Sequence, residues 1–145
     1  MMNILYPLAL ALGGAILVST DQREQLEQPT IPSKLEIIAI DGKLENAQVW
    51  LDRNNNFICD LDEPSATSNK FGKASLNITA YPEYSKSPIV VMAIAGQTID
   101  QHLPNKTISH SYLMSAPAGQ TEISPLSTLV HLEMINQGGQ TLSSN

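Results

Sequence analysis

The sequence predicts a mainly β domain, an antiparallel β-sandwich with one short C-terminal helix. Three observations carry this. Apolar residues recur with period two in short segments separated by turn signals. The run Ile89-Val-Val-Met-Ala-Ile-Ala95 is continuously apolar between Pro88 and Gly96, which suits a central buried strand. Ser124-Pro125 then opens a segment with helical spacing, the serine as cap and the proline in the first turn.

The elements follow in chain order. Leu35-Glu-Ile-Ile-Ala-Ile40 is rich in β-branched residues and reads as a strand, with Asp41-Gly42 as a turn. Ala47, Val49 and Leu51 alternate with Gln48 and Trp50, the period of a half-buried strand. Asn69 to Gly72 forms a turn. Ala74, Leu76 and Ile78 then alternate with Ser75, Asn77 and Thr79 as another strand. Thr107 to His110 and Tyr112 to Ser115 are expected to pair as a hairpin. A helix is expected from about Pro125 to Gln137, with Leu126, Leu129, Val130 and Met134 near helical spacing and Gly138 as its stop.

Between the second strand and the Asn69 turn lies Asp52-Arg-Asn54-Asn-Asn56-Phe-Ile58-Cys-Asp60-Leu-Asp-Glu63. Oxygen-bearing side chains fall at positions 1, 3, 5, 9 and 12, the spacing of an EF-hand-type calcium loop. Calcium takes six to eight oxygens, and alternate residues of a curled loop point inward together. Asp52, Asn54, Asn56, Asp60 and Glu63 are the candidate side-chain ligands, and Ile58 is expected to offer its backbone carbonyl. Position 6 is normally Gly, because the chain turns sharply there; here it is Phe57. A bulky residue at positive φ costs about 1 kcal/mol or more, so a weak site in the millimolar-to-submillimolar range is expected. The competing reading is a solvated Asn/Asp-rich turn that bonds its own backbone.

Composition narrows the function. The chain has 145 residues, enough for one domain with a modest core. With eight Lys and Arg against a net charge of −6, no basic patch is available to neutralise phosphates, so nucleic acid is not an expected partner. The apolar run Ile4 to Val18, followed by Asp-Gln-Arg-Glu, reads as a secretory signal, although its start lacks Lys or Arg and its end near Ser19 is not A-x-A. A retained anchor is the alternative, slightly short for a span, and would be the chain's one membrane contact. A buried helix is disfavoured by Pro7 and Gly13-Gly14. Residues 1–20 are thus a signal peptide or apolar anchor, 21–34 a linker, 35–137 the sandwich with its helix, and 138–145 a flexible tail. The expected location is outside the cytoplasm: extracellular, at the cell surface or periplasmic.

Cys59 is the single cysteine and has no internal disulfide partner. His102, His110 and His131 are scattered and read as surface or packing residues. Ser124 and Ser127 lack a nucleophile elbow, and no nucleophile–base pair is suggested by spacing, so an enzyme is not expected. Trp50, Tyr81, Tyr84 and Tyr112 are the aromatics available to stack on a sugar, which keeps a carbohydrate- or small-ligand-binding module as the alternative.

The stretch Gly42-Lys-Leu-Glu-Asn-Ala-Gln-Val-Trp-Leu-Asp52, the loop, then Glu63-Pro-Ser-Ala-Thr67 and Gly72 resembles a module of bacterial surface and exported proteins. It is similar to serine-aspartate-repeat B-type and collagen-adhesin B-type domains. Ile123-Ser-Pro-Leu-Ser-Thr-Leu-Val130 resembles a segment that follows this module in some Gram-negative exported proteins. The resemblance covers about residues 38 to 130. It implies a prealbumin-like (Ig-like) sandwich and calcium at Asp52, Asn54, Asn56, Asp60 and Glu63. Trp50 stands where some relatives carry a cysteine suited to pair with one at the position of Cys59, so that bridge is not expected here. The function expected is an exported, non-enzymatic, calcium-stabilised module with a structural, adhesive or assembly role. Its partner is expected to be protein, through self-assembly or a surface partner, by way of exposed edge strands.

Overall fold

The computed structural model describes residue 30 and residues 32–138. The expected signal or anchor, most of the linker and nearly all of the tail lie outside them. The described part is mainly β, with nine strands and one C-terminal helix: β1 (Lys34–Ala39), β2 (Leu44–Glu45), β3 (Gln48–Leu51), β4 (Ser65–Thr67), β5 (Lys73–Asn77), β6 (Ile89–Ala93), β7 (Ile99–Asp100), β8 (Tyr112–Ala116), β9 (Glu122–Ile123) and α1 (Pro125–Asn136). One turn of 3₁₀ helix covers Tyr84–Lys86.

The strands form a four-stranded sheet in the order β4-β3-β6-β8, a three-stranded sheet in the order β5-β1-β9, and the ribbon β2-β7. All pairings are antiparallel except β1 with β9, which is parallel. The two larger sheets bury one core. Ile37, Ala74, Leu76 and Ile123 come from one; Val49, Leu51, Ile89, Val91, Met114 and Ala116 come from the other. β6 lies in the interior of its sheet and is buried along nearly its whole length, as its unbroken apolar run requires. β5 alternates exposed and buried residues as its period-two sequence does.

Two expectations need correction. The hairpin of Thr107–His110 with Tyr112–Ser115 does not form. The Ile108 N–H donates to the Thr98 carbonyl at 2.9 Å and the Ile108 carbonyl accepts from Gly96 N–H at 3.0 Å, so its backbone is already engaged. β8 pairs with β6 instead. Trp50 is not on a solvated face. It is fully buried, in register with Val90, which is in register with Ser115. That row faces away from the inter-sheet core, and α1 packs on its Ser115 end. Trp50 Nε1 has no hydrogen-bond partner among the described residues.

The orientation of α1 is a finding of the structure alone. Its start is as expected: Ser124 accepts from Ser127 N–H at 3.1 Å, and Ser127 Oγ accepts from Ser124 N–H at 2.9 Å. But the face toward the sheet carries Ser127, Thr128 and His131, whereas Leu126, Leu129, Val130, Leu132 and Ile135 are exposed. Leu126 is 70% exposed and Leu129 65%. The polar face is used on β8. The Ser115 carbonyl accepts from Ser127 Oγ at 2.7 Å, and Thr128 Oγ1 accepts from Ser115 N–H at 3.0 Å. A helix normally turns its apolar stripe inward; here the unpaired backbone of Ser115 selects hydroxyls. Among the described residues no helix is long and apolar enough to cross a membrane.

Tyr112 on β8 donates its hydroxyl to Asp41 at 2.8 Å. Burial first, then this bond and the charges of Asp41 and Asp100, push its pKa well above the ordinary value. The unfolded chain loses that proton near pH 10 while the folded chain holds it. The stabilising contribution is therefore complete below about pH 10 and is lost as pH rises through the folded value. In melts recorded from pH 8 to 11.5, the stability gap between wild type and Tyr112→Phe should narrow above about pH 10. A constant gap would remove the Asp41 bond from the account.

Candidate metal centre

The loop runs from the end of β3 to just before β4, and both ends are anchored. Asp52 N–H donates to the Pro88 carbonyl at 2.9 Å, beside β6, and Leu51 N–H donates to the Pro64 carbonyl at 3.1 Å. The turn is sharp where the spacing demands it. Asn55 has φ +59° and Phe57 φ +60°, so Phe57 adopts the backbone usually given to glycine.

The six candidate residues are brought to one short loop with a defined division of labour. Asp52 and Glu63 are buried at its base. Asp52 Oδ1 accepts from Asn56 N–H at 3.2 Å and Oδ2 from Phe57 N–H at 3.0 Å. Glu63 accepts from Arg53 N–H at 2.6 Å and Asp60 N–H at 3.0 Å. Above them, Asp60 Oδ2 accepts from the side-chain amides of Asn54 at 2.8 Å and Asn56 at 3.0 Å. Ile58 is exposed, and its N–H bonds the Asn56 side chain at 3.0 Å. Asn54, Asn56 and Asp60 thus close into a hydrogen-bonded ring, with Asp52 tied to it through Asn56 N–H and Glu63 through Asp60 N–H.

The donor set fits a hard cation. It is all oxygen from carboxylates and amides, with no sulfur or imidazole among the expected ligands. No His, Cys, Asp and Glu cluster of three or more is assembled for a metal among the described residues; the gathering here depends on two asparagines. Neither Asp52 nor Glu63 has a Lys, Arg or His ion-pair partner among the described residues, whose ion pairs lie elsewhere, such as Arg53 with Asp62 at 3.8 Å. Buried carboxylates are otherwise paired or bound to metal. The backbone bonds to Asn54 and Asn56 Oδ1 are also those by which an Asx-rich turn holds itself.

Cys59 lies within the loop, free and half-buried. Burial raises its pKa, as do Glu63 and Asp60, against a lowering bond from Ser65. A thiol so placed is a poor nucleophile at neutral pH.

One pair escaped the sequence reading. Ser115 Oγ and His131 Nδ1 are 2.7 Å apart. Burial lowers the His131 pKa, and the Asp52 charge opposes that. Ser115 is almost wholly buried in mid-strand, so a substrate has no approach to it. Nothing in the spacing of Ser115 and His131 marks them; only the helix orientation joins them. Ser124 and Ser127 serve as the helix cap.

Beside the loop lies a cleft of about 410 Å³ lined by Arg53, Tyr81, Glu83, Tyr84, Lys86 and Ser87, among others. The Arg53 guanidinium sits 4.8 Å from the Tyr81 ring centroid, and the Tyr81 hydroxyl donates to the Asp62 carbonyl at 2.7 Å. Of the four aromatics expected to stack on sugar, Tyr81 and Tyr84 reach this cleft, Trp50 is buried and Tyr112 packs against the core.

Compared with protein-family models, curated proteins and solved structures, the chain matches none.

Proposed function

We propose that the chain is an exported, non-enzymatic β-sandwich module, prealbumin-like in its finer fold. It is stabilised by calcium and serves a structural, adhesive or assembly role outside the cell. Asp52, Asn54, Asn56, Asp60, Glu63 and the carbonyl of Ile58 hold the ion. The observation that carries the reading is the ring of ligand-spaced side chains over two buried carboxylates that have no cationic partner among the described residues. Bound calcium would neutralise the carboxylates and tie the end of β3 to the start of β4. Because it binds the folded loop and not the unfolded chain, it stabilises by about 2.7 kcal/mol at a hundredfold excess over Kd.

Calorimetry of the full chain with calcium should give one site in wild type and no resolvable heat in Glu63→Gln. Chelation should lower the melting temperature of wild type and leave that of Glu63→Gln unmoved. An equal calorimetric response in both proteins, or none in either, rejects the site. Export has its own test. N-terminal sequencing of secreted protein should find the mature chain beginning near Asp21; a secreted chain that still starts at Met1 rejects cleavage.

The cleft supports a second reading, a carbohydrate-binding module. Its polar lining suits a hydroxylated ligand, and Arg53 and Lys86 favour an acidic sugar. Titration with hexuronate oligosaccharides should show binding that Arg53→Ala abolishes; no binding at millimolar sugar rejects this reading.

A further inference from the structure

We propose that Phe57 transmits the state of the loop to helix α1, so that calcium controls how firmly α1 is held on the sheet. This rests on the calcium reading and adds regulation to the same site. The observation is a continuous path of contacts. Phe57 N–H donates to Asp52 Oδ2 at 3.0 Å, which fixes the residue against the base of the loop. Its ring centroid lies 5.8 Å from that of His131, tilted by 35°. His131 is the buried residue of α1, and its Nδ1 is 2.7 Å from Ser115 Oγ. Ser115 in turn is bonded through its backbone to Ser127 and Thr128 of the first turns of α1.

Two features make this path matter. The inward face of α1 is largely polar, with Met134 as its one half-buried apolar side chain, so the helix is held on β8 by a few hydrogen bonds and ring contacts rather than by a large apolar footprint. Segments with few buried apolar contacts open most readily. Phe57 also occupies a left-handed conformation that its side chain disfavours, at φ +60°. Such a conformation persists only where the surroundings hold it. The Asp52 bonds supply part of that hold, and the ion would strengthen it by drawing Asp52 and its neighbours inward. Without the ion, mutual repulsion of Asp52, Asp60 and Glu63 makes local openings of the loop more frequent, and in each opening Phe57 leaves positive φ and its contact with His131. The ring explains why glycine is absent from this position. Glycine would suit the backbone but has nothing to place against the helix.

The test is hydrogen–deuterium exchange on the full chain, followed by mass spectrometry of the segment 124–137, with calcium or with chelator. Calorimetry on the same samples reports binding separately. In wild type, saturating calcium should slow exchange in α1 about tenfold, the change expected when one local opening is opposed by roughly 1.4 kcal/mol. Phe57→Gly should bind calcium at least as tightly, since its backbone strain is gone, yet α1 exchange should no longer respond. Phe57→Tyr keeps the ring and should restore the response. Exchange in β1 and β6 should stay slow in both variants, which establishes that they fold. Calcium binding with no change at α1 in wild type, or a full response in Phe57→Gly, overturns the coupling and leaves the calcium site standing. No calcium heat in wild type overturns both.

Discussion

Gly72→Ala should destabilise the protein by on the order of 3–4 kcal/mol and lower its melting temperature by more than about 10 °C. Gly72 sits at φ +78° in the turn before β5, where a side chain is strained by about 1–2 kcal/mol. Its environment adds a second penalty. A Cβ there would lie 2.6 Å from the Ala39 carbonyl oxygen, and that atom is backbone at the end of β1. Ala39 N–H also donates to the Gly72 carbonyl at 2.7 Å, so neither side can withdraw without breaking the junction of β1 with β5. Gly96 is the control. It has nearly the same φ, +77°, but nothing within 4 Å of its Cβ position. Gly96→Ala should therefore report the backbone strain alone, about 1–2 kcal/mol. Denaturant unfolding of both variants checks this, and equal losses would mean that the close approach of β1 to the turn is wrong.

Asp52→Ala should cost about 2–3 kcal/mol even in chelator, and should remove any response to calcium. The carboxylate is fully buried and holds Asn56 and Phe57 by their N–H groups, beside the two residues at positive φ. Removing it leaves the Phe57 N–H unmet and the Asn56 N–H with only its 3.3 Å bond to Asn54 Oδ1, and releases the strained turn. Asp52→Asn preserves the shape and one acceptor. It should recover about half of the chelator-state loss while still failing to bind calcium, because the charge is gone. Melts of the three proteins with and without calcium separate the two roles. If Asp52→Ala in chelator melts within about 1 °C of wild type, the carboxylate does not organise the loop, and its burial needs another cause.

The local signals and the folded structure agree where one segment contains its own answer. β1, β5 and β6 follow from period and composition, because a strand's faces alternate whatever it packs against. The start of α1 follows from Ser124 and Pro125, because capping is settled within one turn. The Asp52–Glu63 spacing places its side chains around one curl, and the structure joins Asn54, Asn56 and Asp60 in a ring that Asp52 and Glu63 hold from below.

What the sequence by itself determined is therefore the mainly β class, most of the longer strands, the helix and the grouping of the loop residues. Each is set by interactions a few residues apart. The tertiary structure alone decided which face of α1 turns inward, where Trp50 lies, how β1 meets β9 in parallel, and that Ser115 meets His131. The reason is the same in each case. The partner is distant in the chain, and its demand is invisible locally. The leucines of α1 suggest an inward apolar stripe, but the backbone of Ser115 needed hydrogen-bonding groups, and the hydroxyls on the other side of the helix supplied them. Phe57 is the same lesson at the loop. Its sequence position predicts strain, and only the fold brings His131 against its ring.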